Sequence, residues 1–290
     1  MSSKLLMIHC LSPLHAGVGQ GVDVVDLAIA RERSTGFPYL PGSSIKGSLR
    51  DRAASIGEAN VVKVFGPSGE NASDHAGCVA FGDGNLVCLP TRSVAGTFAY
   101  VTSPYLLQRL SRDLEAVGQT SVGSVPNIAS AEKVKITKTS ILKAADGRVY
   151  FEDFDFNAES DQAVNDIADR VASLIFDNAE QRELFVKRFC IVHDDVMSFL
   201  SKHGTDVITR VSIENETKTA KAGQLWTEEN LPSESILSSL VSYIEVKSTK
   251  ITESDAFGVI GRLVEEEVQF GGKATVGRGR CRARLSGGVK

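Results

Sequence analysis

No two of the five cysteines (Cys10, Cys78, Cys88, Cys190, Cys281) form a CxxC pair, which argues against a zinc ribbon and a disulfide framework. Reduced, partly buried thiols are the expectation. No apolar run approaches the roughly 18–20 residues of a membrane span. The apolar stretch Leu5–Cys10 behind Met1 is too short and too broken for a signal peptide, so a cytoplasmic protein without a membrane partner is expected. Positive charge is not in excess: the net charge is −4, the wrong sign for a nonspecific nucleic-acid binder. The sequence also lacks a GxxxxGK[ST] phosphate loop, the repeated βαβ units of a dinucleotide fold and any internal repeat. With no cofactor motif, a small-molecule enzyme is the least favoured class.

What is present is ordinary in bulk and uneven in distribution. The 290 residues, 42% hydrophobic and 23% charged, suit a soluble globular protein with a real core. The stretch Gly271–Lys290 carries Lys273, Arg278, Arg280, Arg282, Arg284 and Lys290 and no acid, whereas Glu152–Asp169 is acidic. Such segregation permits one basic face on an acidic body.

Periodicity and turn chemistry predict mixed elements. Lys4–Cys10 reads as a strand, and Leu11–Gly21 as a loop with Gly17, Gly19 and Gly21 at alternate positions. Val22–Arg31 reads as extended. Ser43 or Ser44 is the expected N-cap of a helix to about Ile56, and Val61–Gly77 is irregular. Cys78–Pro90 reads as strand, turn and strand, and Tyr105–Val117 as a helix. Ser121–Ala131 reads as a mobile connection. Ile136–Phe156 is expected to contain a hairpin turned at Asp146-Gly147. Helices are expected near Ala163–Ile175, Ala179–Phe189 and Asp194–Ser201. Strands follow at Asp206–Ile213 and Gly223–Thr227, joined by the polar excursion Glu214–Ala222. Ile236–Val246 is a strand, Asp255–Glu266 a helix, Val268–Phe270 a short strand and Arg280–Leu285 the last one. The pattern is an α+β core with long insertions.

Three segments carry chemistry. Pro41-Gly-Ser-Ser-Ile-Lys-Gly-Ser-Leu-Arg50 puts small residues, the Ser44 hydroxyl and Lys46 at a helix start, where free N–H groups favour a phosphate. Lys46 and Arg50, four apart, share one helix face. The same residues equally suit a capped helix with a solvated basic face. Phe270–Arg280 holds four glycines within Gly271–Gly279. There Gly271 and Gly272 let backbone hug a sugar-phosphate chain, and Lys273, Arg278 and Arg280 supply charge; the other reading is a flexible basic tail. Two phosphate-type segments favour a polyanionic strand over a nucleotide. In His15–Asp26, a histidine able to shuttle protons precedes the glycines, and Asp23 and Asp26 follow. Taken alone these are also common turn and cap residues.

Together the segments resemble a family. Leu14-His-Ala-Gly-Val-Gly-Gln20, Val24-Val-Asp-Leu-Ala-Ile-Ala-Arg-Glu32, Thr35-Gly-Phe-Pro38 and Pro41–Arg50 are similar to the N-terminal signature of the RAMP superfamily, and more narrowly to the backbone subunits of type III-B (Cmr) CRISPR effectors. Phe81-Gly-Asp83 through Ser93, Phe98–Pro104, Thr209-Arg-Val-Ser-Ile213, Gly223-Gln-Leu-Trp-Thr-Glu-Glu229 and the C-terminal glycine-rich loop extend the resemblance over nearly the whole chain.

The resemblance implies a single RAMP domain over 1–290. Its ferredoxin-like, RNA-recognition-type palm would come from both ends of the chain. Helical insertions, roughly 61–77, 118–135 and 157–230, would include a thumb-like β-hairpin. It implies Asp26 as the cleavage aspartate and holder of a divalent metal ion (Mg or Mn), with His15 and Glu228 assisting acid–base steps. The family often has tyrosine where this chain has Asn230. Ser44, Lys46, Arg50 and the Gly271–Arg280 loop would contact guide RNA. Partners implied are guide RNA, target RNA, further copies of the chain and other Cmr subunits. A non-cutting architectural subunit and the type III-A (Csm) backbone subunit are the alternatives. A guide-processing RAMP endonuclease, usually two ferredoxin-like domains, fits the pattern less well.

Overall fold

The computed structural model describes residues 2–19, 25–67, 75–214 and 216–286. The expected features at Gly21, Val22–Val24, Asp23 and Lys290 lie outside them. In chain order the elements begin with β1 (Ser2–Cys10), β2 (Tyr39–Leu40), α1 (Gly42–Ser55), α2 (Val61–Phe65), β3 (Val79–Phe81), β4 (Gly84–Arg92), β5 (Phe98–Thr102) and α3 (Pro104–Ala116). The middle of the chain forms β6 (Lys133–Ile136), β7 (Val149–Phe151), β8 (Phe154–Ser160), α4 (Gln162–Ile175), α5 (Ala179–Arg188), β9 (Phe189–Val192) and α6 (Asp194–His203). Last come β10 (Asp206–Ile213), β11 (Ala220–Asn230), β12 (Ile236–Tyr243), α7 (Glu253–Leu263), β13 (Val268–Gln269) and β14 (Arg280–Leu285).

The two ends of the chain meet in one sheet. β1 pairs antiparallel with β12, from Ser2 opposite Tyr243 to His9 opposite Ile236. On its other edge it pairs with β14, from Leu6 opposite Leu285 to Cys10 opposite Cys281. Among the described residues the strand order is β13-β14-β1-β12-β4-β5-β9-β6-β8-β7, with β2 beside β4 and β3 beside β12. The expected antiparallel palm is the β14-β1-β12-β4 part, and the remaining strands extend it into a larger mixed sheet with parallel pairs β5–β9 and β6–β8.

Strand alternation explains why β1 is apolar throughout. Leu6, Ile8 and Cys10 pack on one face with Ile45, Leu49 and Ala53 of α1 and Phe257 and Ile260 of α7. Leu5 and Met7 pack on the other with Leu107, Leu110 and Leu114 of α3, Val164 and Val171 of α4 and Phe185. Helices therefore cover both faces of the sheet at β1. Truncating a fully buried leucine such as Leu6 would cost about 2–5 kcal/mol.

Several local expectations are corrected. Helix α1 starts earlier, with Pro41 at its N-cap position and no side-chain cap from Ser43 or Ser44. Its first N–H, from Gly42, donates instead to Asp83 Oδ1 at 2.8 Å, a cap supplied from a distant turn. The hairpin of the middle region turns at Glu152-Asp153, joining β7 and β8. Asp146-Gly147 closes only a tight local turn, with Gly147 N–H on Ala144 O at 2.9 Å, because β6 pairs in parallel with β8 and needs a crossover. The 121–131 connection sends Val122 and Ile128 into the core, and so is anchored. Phe189, expected to end a helix, instead opens the strand β9. Among the described residues no helix is long and apolar enough to cross a membrane.

Strands β10 and β11 form a separate two-stranded hairpin. At its outer part Val211 stands directly opposite Leu225, and both are exposed together with Val207 and Ile213.

Candidate functional site

Three consecutive residues of β11, at the base of that hairpin, gather the N-terminal segment. Leu27 bridges in parallel to Glu228, its N–H reaching Thr227 O at 3.1 Å and its carbonyl accepting from Glu229 N–H at 3.0 Å. This short zipper fixes Asp26. Its Oδ2 accepts from the backbone N–H and the hydroxyl of Thr227 at 2.7 and 2.9 Å. The Asp26 N–H returns a bond to Thr227 Oγ1 at 3.0 Å. The side chain is exposed. The Thr227 N–H and hydroxyl hold its carboxyl below the ordinary aspartate range.

His15 is anchored one residue further on. Its Nδ1 lies 2.8 Å from the carbonyl of Glu229. A carbonyl only accepts, so Nδ1 carries the hydrogen and Nε2 the lone pair of the neutral ring. A Cβ at Gly17 would sit 2.5 Å from that Nε2, so glycine there keeps the ring edge uncovered. His15 also bridges to Gly272, whose N–H donates to His15 O at 2.9 Å. Gly271 (φ 69°) could not carry a side chain, because a Cβ would meet His15 O at 2.4 Å; at Gly279 (φ 74°) it would meet Phe270 O at 1.9 Å. The two glycine-rich loops therefore lie against each other. Between them and α1 opens a cleft of about 480 Å³ lined by His15, Gly17, Gly19, Ser44, Gly47, Ser48, Gly271 and Gly272.

Glu228, between Thr227 and Glu229, is fully buried. Three cations surround it without hydrogen-bonding: Arg210 Nε and Lys273 Nζ at 3.8 and 3.7 Å from Oε2, and Arg278 Nε at 3.8 Å from Oε1. On the same face of β11, Asn230 is also buried, and neither its Oδ1 nor its Nδ2 has a hydrogen-bond partner among the described residues. Glu229 points the other way and is fully engaged, by Arg31 Nη2 at 2.5 Å, Thr205 Oγ1 at 2.8 Å and the Ile29 N–H at 3.1 Å.

The remaining predicted residues divide. Ser44 lines the main cleft, but its N–H and that of Ile45 donate to Pro41 O. With the Gly42 N–H on Asp83, the helix start offers a phosphate less free backbone than the sequence suggests. Lys46 and Arg50 share a different face of α1 and line a second hollow of about 370 Å³ with Phe65, Pro67 and His75. Arg280 lies apart, its guanidinium on Glu267 Oε2 at 2.7 and 3.1 Å. Sequence reasoning gave no role to Thr227, Arg210, Arg31 or Glu229. All four stand inside segments that carry the family resemblance, which is the only signal that marks them.

A divalent cation at Asp26 would find a sparse donor set. Among the described residues, no three His, Cys, Asp or Glu side chains gather into a metal-holding group. Asp26 Oδ2 is occupied by Thr227, and Glu228 faces three cations. One carboxylate fits an ion shared with RNA oxygens and water; it does not fit a resident protein-bound ion.

Comparison with known proteins gives one family. The RAMP superfamily model matches residues 7–282. The chain is 33% identical over 296 residues to the CRISPR system Cmr endoribonuclease Cmr4 of Pyrococcus furiosus, covering 98% of this chain and 96% of that protein. It superposes on the crystal structure of oligomeric Cmr4 from Pyrococcus furiosus with a TM-score of 0.77 at 27% identity, covering 99% and 98% of the two chains. A chain of the type III-B Cmr-beta complex bound to cognate target RNA shares the fold, with a TM-score of 0.76 at 23% identity over 98% of this chain and 97% of that one.

Proposed function

The chain belongs to the RAMP superfamily, and on that premise we propose that it is the backbone subunit of a type III-B CRISPR effector: copies bind along guide RNA, and each cleaves the complementary target RNA. The observation that carries the cleavage reading is the anchoring of Asp26 and His15 on Thr227 and Glu229, the two residues of β11 that flank Glu228. Of the three, His15 lines the glycine-rich cleft, while Asp26 is exposed and Glu228 buried.

In this reading the guide supplies sequence selection by base pairing and the protein holds backbone shape. The β10–β11 hairpin, with Val207, Val211 and Leu225 exposed, is the part suited to wedge between stacked nucleotides. The target kinks there, which sets the in-line geometry that proximity catalysis needs. The ribose 2′-oxygen attacks the adjacent phosphorus, the phosphorus–O5′ bond breaks, and a 2′,3′-cyclic phosphate and a 5′-hydroxyl result. His15 Nε2, turned to the cleft by the Nδ1–Glu229 bond, takes the 2′-hydroxyl proton, and solvent water protonates the departing O5′. Asp26, kept ionised by Thr227, orients the nucleophile. A Mg or Mn ion shared between Asp26 and the RNA would draw charge from the phosphate.

A purely architectural subunit is the second reading. Asn230 in place of the family's usual tyrosine favours it, as does the set of cations around Glu228. The test is to purify the chain with its partner subunits, sequence the bound RNA and add complementary RNA. Short RNAs with a shared 5′ tag and target fragments at regular spacing are expected. Bound guides without any target cutting would select the architectural reading.

A further inference from the structure

We propose that Arg210, Lys273 and Arg278 form a clamp for one backbone phosphodiester of the RNA strand lying in the glycine-lined cleft, with the Glu228 carboxylate as the clamp's internal counterion. The proposal rests on the RNA-binding reading above and adds to it a residue, Arg210, from the hairpin.

The contrast between two neighbouring glutamates carries the argument. Glu229 is tightly bonded, with partners at 2.5, 2.8 and 3.1 Å. Glu228, one residue earlier, is just as buried, yet its three cations stand at 3.7–3.8 Å, beyond hydrogen-bonding range. Among the described residues, both Glu228 oxygens, Arg278 Nε and both polar ends of Asn230 are buried without hydrogen-bond partners. A structural ion pair closes to about 2.7–2.9 Å, and buried polar atoms left open cost stability. A loose cage of cations around a sealed carboxylate is instead the arrangement of a site that closes on a ligand.

Charge and place identify the ligand. Three cations outnumber the Glu228 carboxylate. Asp206, opposite Asn230 in the hairpin register and within electrostatic reach of Arg278, reduces the excess without cancelling it. The carboxylate is 0% exposed, while the side chains of Arg210, Lys273 and Arg278 are 31, 34 and 19% exposed, so an incoming group meets the cations first. An anion with several acceptor oxygens suits two guanidinium groups and an ammonium. Gly271 and Gly272 line the cleft immediately before Lys273, so a strand crossing them runs onto the clamp. Because Arg210 comes from β10 and the other two cations from the C-terminal loop, a bound phosphate ties the hairpin to the palm.

The test measures binding of a synthetic single-stranded RNA to the full chain across a range of salt concentrations, for wild type, Arg210→Ala, Arg210→Lys and Glu228→Gln. Melting curves check that each variant folds. Arg210→Ala should weaken binding roughly tenfold and make the salt slope shallower by about 0.7. Arg210→Lys should keep the slope and lose part of the affinity. Glu228→Gln should act in the opposite sense and tighten binding roughly two- to fivefold, the size of a screened charge pair. A purely structural cluster would weaken binding in both Arg210→Ala and Glu228→Gln, and that result overturns the clamp. So does unchanged binding in both variants while wild type binds RNA. A wild-type chain that does not bind RNA would overturn the functional reading itself, and the clamp with it.

Discussion

Asp26 and Thr227, 201 residues apart in the chain, exchange three hydrogen bonds: the aspartate accepts from the threonine N–H and hydroxyl at 2.7 and 2.9 Å, and its own N–H donates to that hydroxyl at 3.0 Å. A residue without a conspicuous motif thus determines where the proposed cleavage aspartate points and keeps its carboxyl ionised. Thr227→Val keeps the backbone bond and loses the hydroxyl ones. The Asp26 carboxyl then moves up toward the ordinary aspartate range, and target cleavage falls by roughly tenfold, the weight of one charged hydrogen bond. Thr227→Ser restores the rate. Comparing the cleavage rates of assembled complexes checks this; an equal loss in Val and Ser would assign Thr227 to packing.

His15 gives a second test through its neighbour. Gly17→Ala puts a methyl 2.5 Å from His15 Nε2 and covers the ring edge that faces the cleft. Its cleavage rate should match that of His15→Ala, a loss of about 10²-fold, at the low end of general acid–base contributions. Wild-type cleavage by Gly17→Ala would mean that Nε2 takes no part.

Lys46 and Arg50 lie on the face of α1 turned away from Ser44, so they test guide binding separately from cleavage. Replacing both with alanine should weaken guide RNA binding and make its salt slope shallower by roughly 1.4, as two single-strand phosphate contacts vanish. Filter binding at several salt concentrations measures both quantities. An unchanged slope removes these residues from the RNA path.

How far the sequence reveals this molecule depends on the range of the interactions. Local pattern sufficed for β1, α3, the β10–β11 hairpin and β14, where periodicity and glycine positions are intrinsic to the segment. It failed where a partner from elsewhere decides. The Gly42 N–H is capped by Asp83 rather than by the neighbouring serines. The run Phe189–Val192, too short for periodicity to separate strand from helix, becomes a strand because β5 and β6 flank it. The same holds at the site. His15 and Asp26 share one segment in which they read equally well as turn and cap residues, and Glu228 stands out only through family resemblance. The residues that hold or surround them, Thr227, Glu229 and Arg210, have roles set by pairing across about two hundred residues or across a hairpin.

Away from the site, Glu234 accepts from Tyr100 OH at 2.5 Å and pairs with His9 Nε2 at 2.8 Å. Burial pushes its carboxyl up, but His9, the Tyr100 hydroxyl and Arg188 outweigh that and leave it below the ordinary glutamate range. A carboxyl lowered on folding contributes stability that is full above its unfolded-state value and lost as pH falls through its folded-state value. Glu234→Gln should therefore destabilise by roughly 1–2 kcal/mol at neutral pH, a figure reduced for partial solvent exposure. The difference from wild type should shrink as pH falls below the ordinary glutamate range. Melting curves against pH test this, and a difference that grows on acidification would contradict it.

The central claim is that this subunit cuts RNA with Asp26, and the direct measurement is cleavage of a complementary RNA by complexes rebuilt with Asp26→Ala, Asp26→Asn or Asp23→Ala. One exposed carboxylate adds little to guide affinity, because it repels phosphate unless a cation intervenes; its value lies in the transition state. Asp26→Asn keeps an acceptor for Thr227 and loses only the charge, so it separates chemistry from the anchoring of the segment. Both Asp26 variants should assemble, retain guide RNA and lose target cleavage by at least about 10²-fold, while Asp23→Ala still cuts. Near wild-type cleavage by both Asp26 variants would contradict the account, and loss of cleavage in Asp23→Ala alone would transfer the role to Asp23.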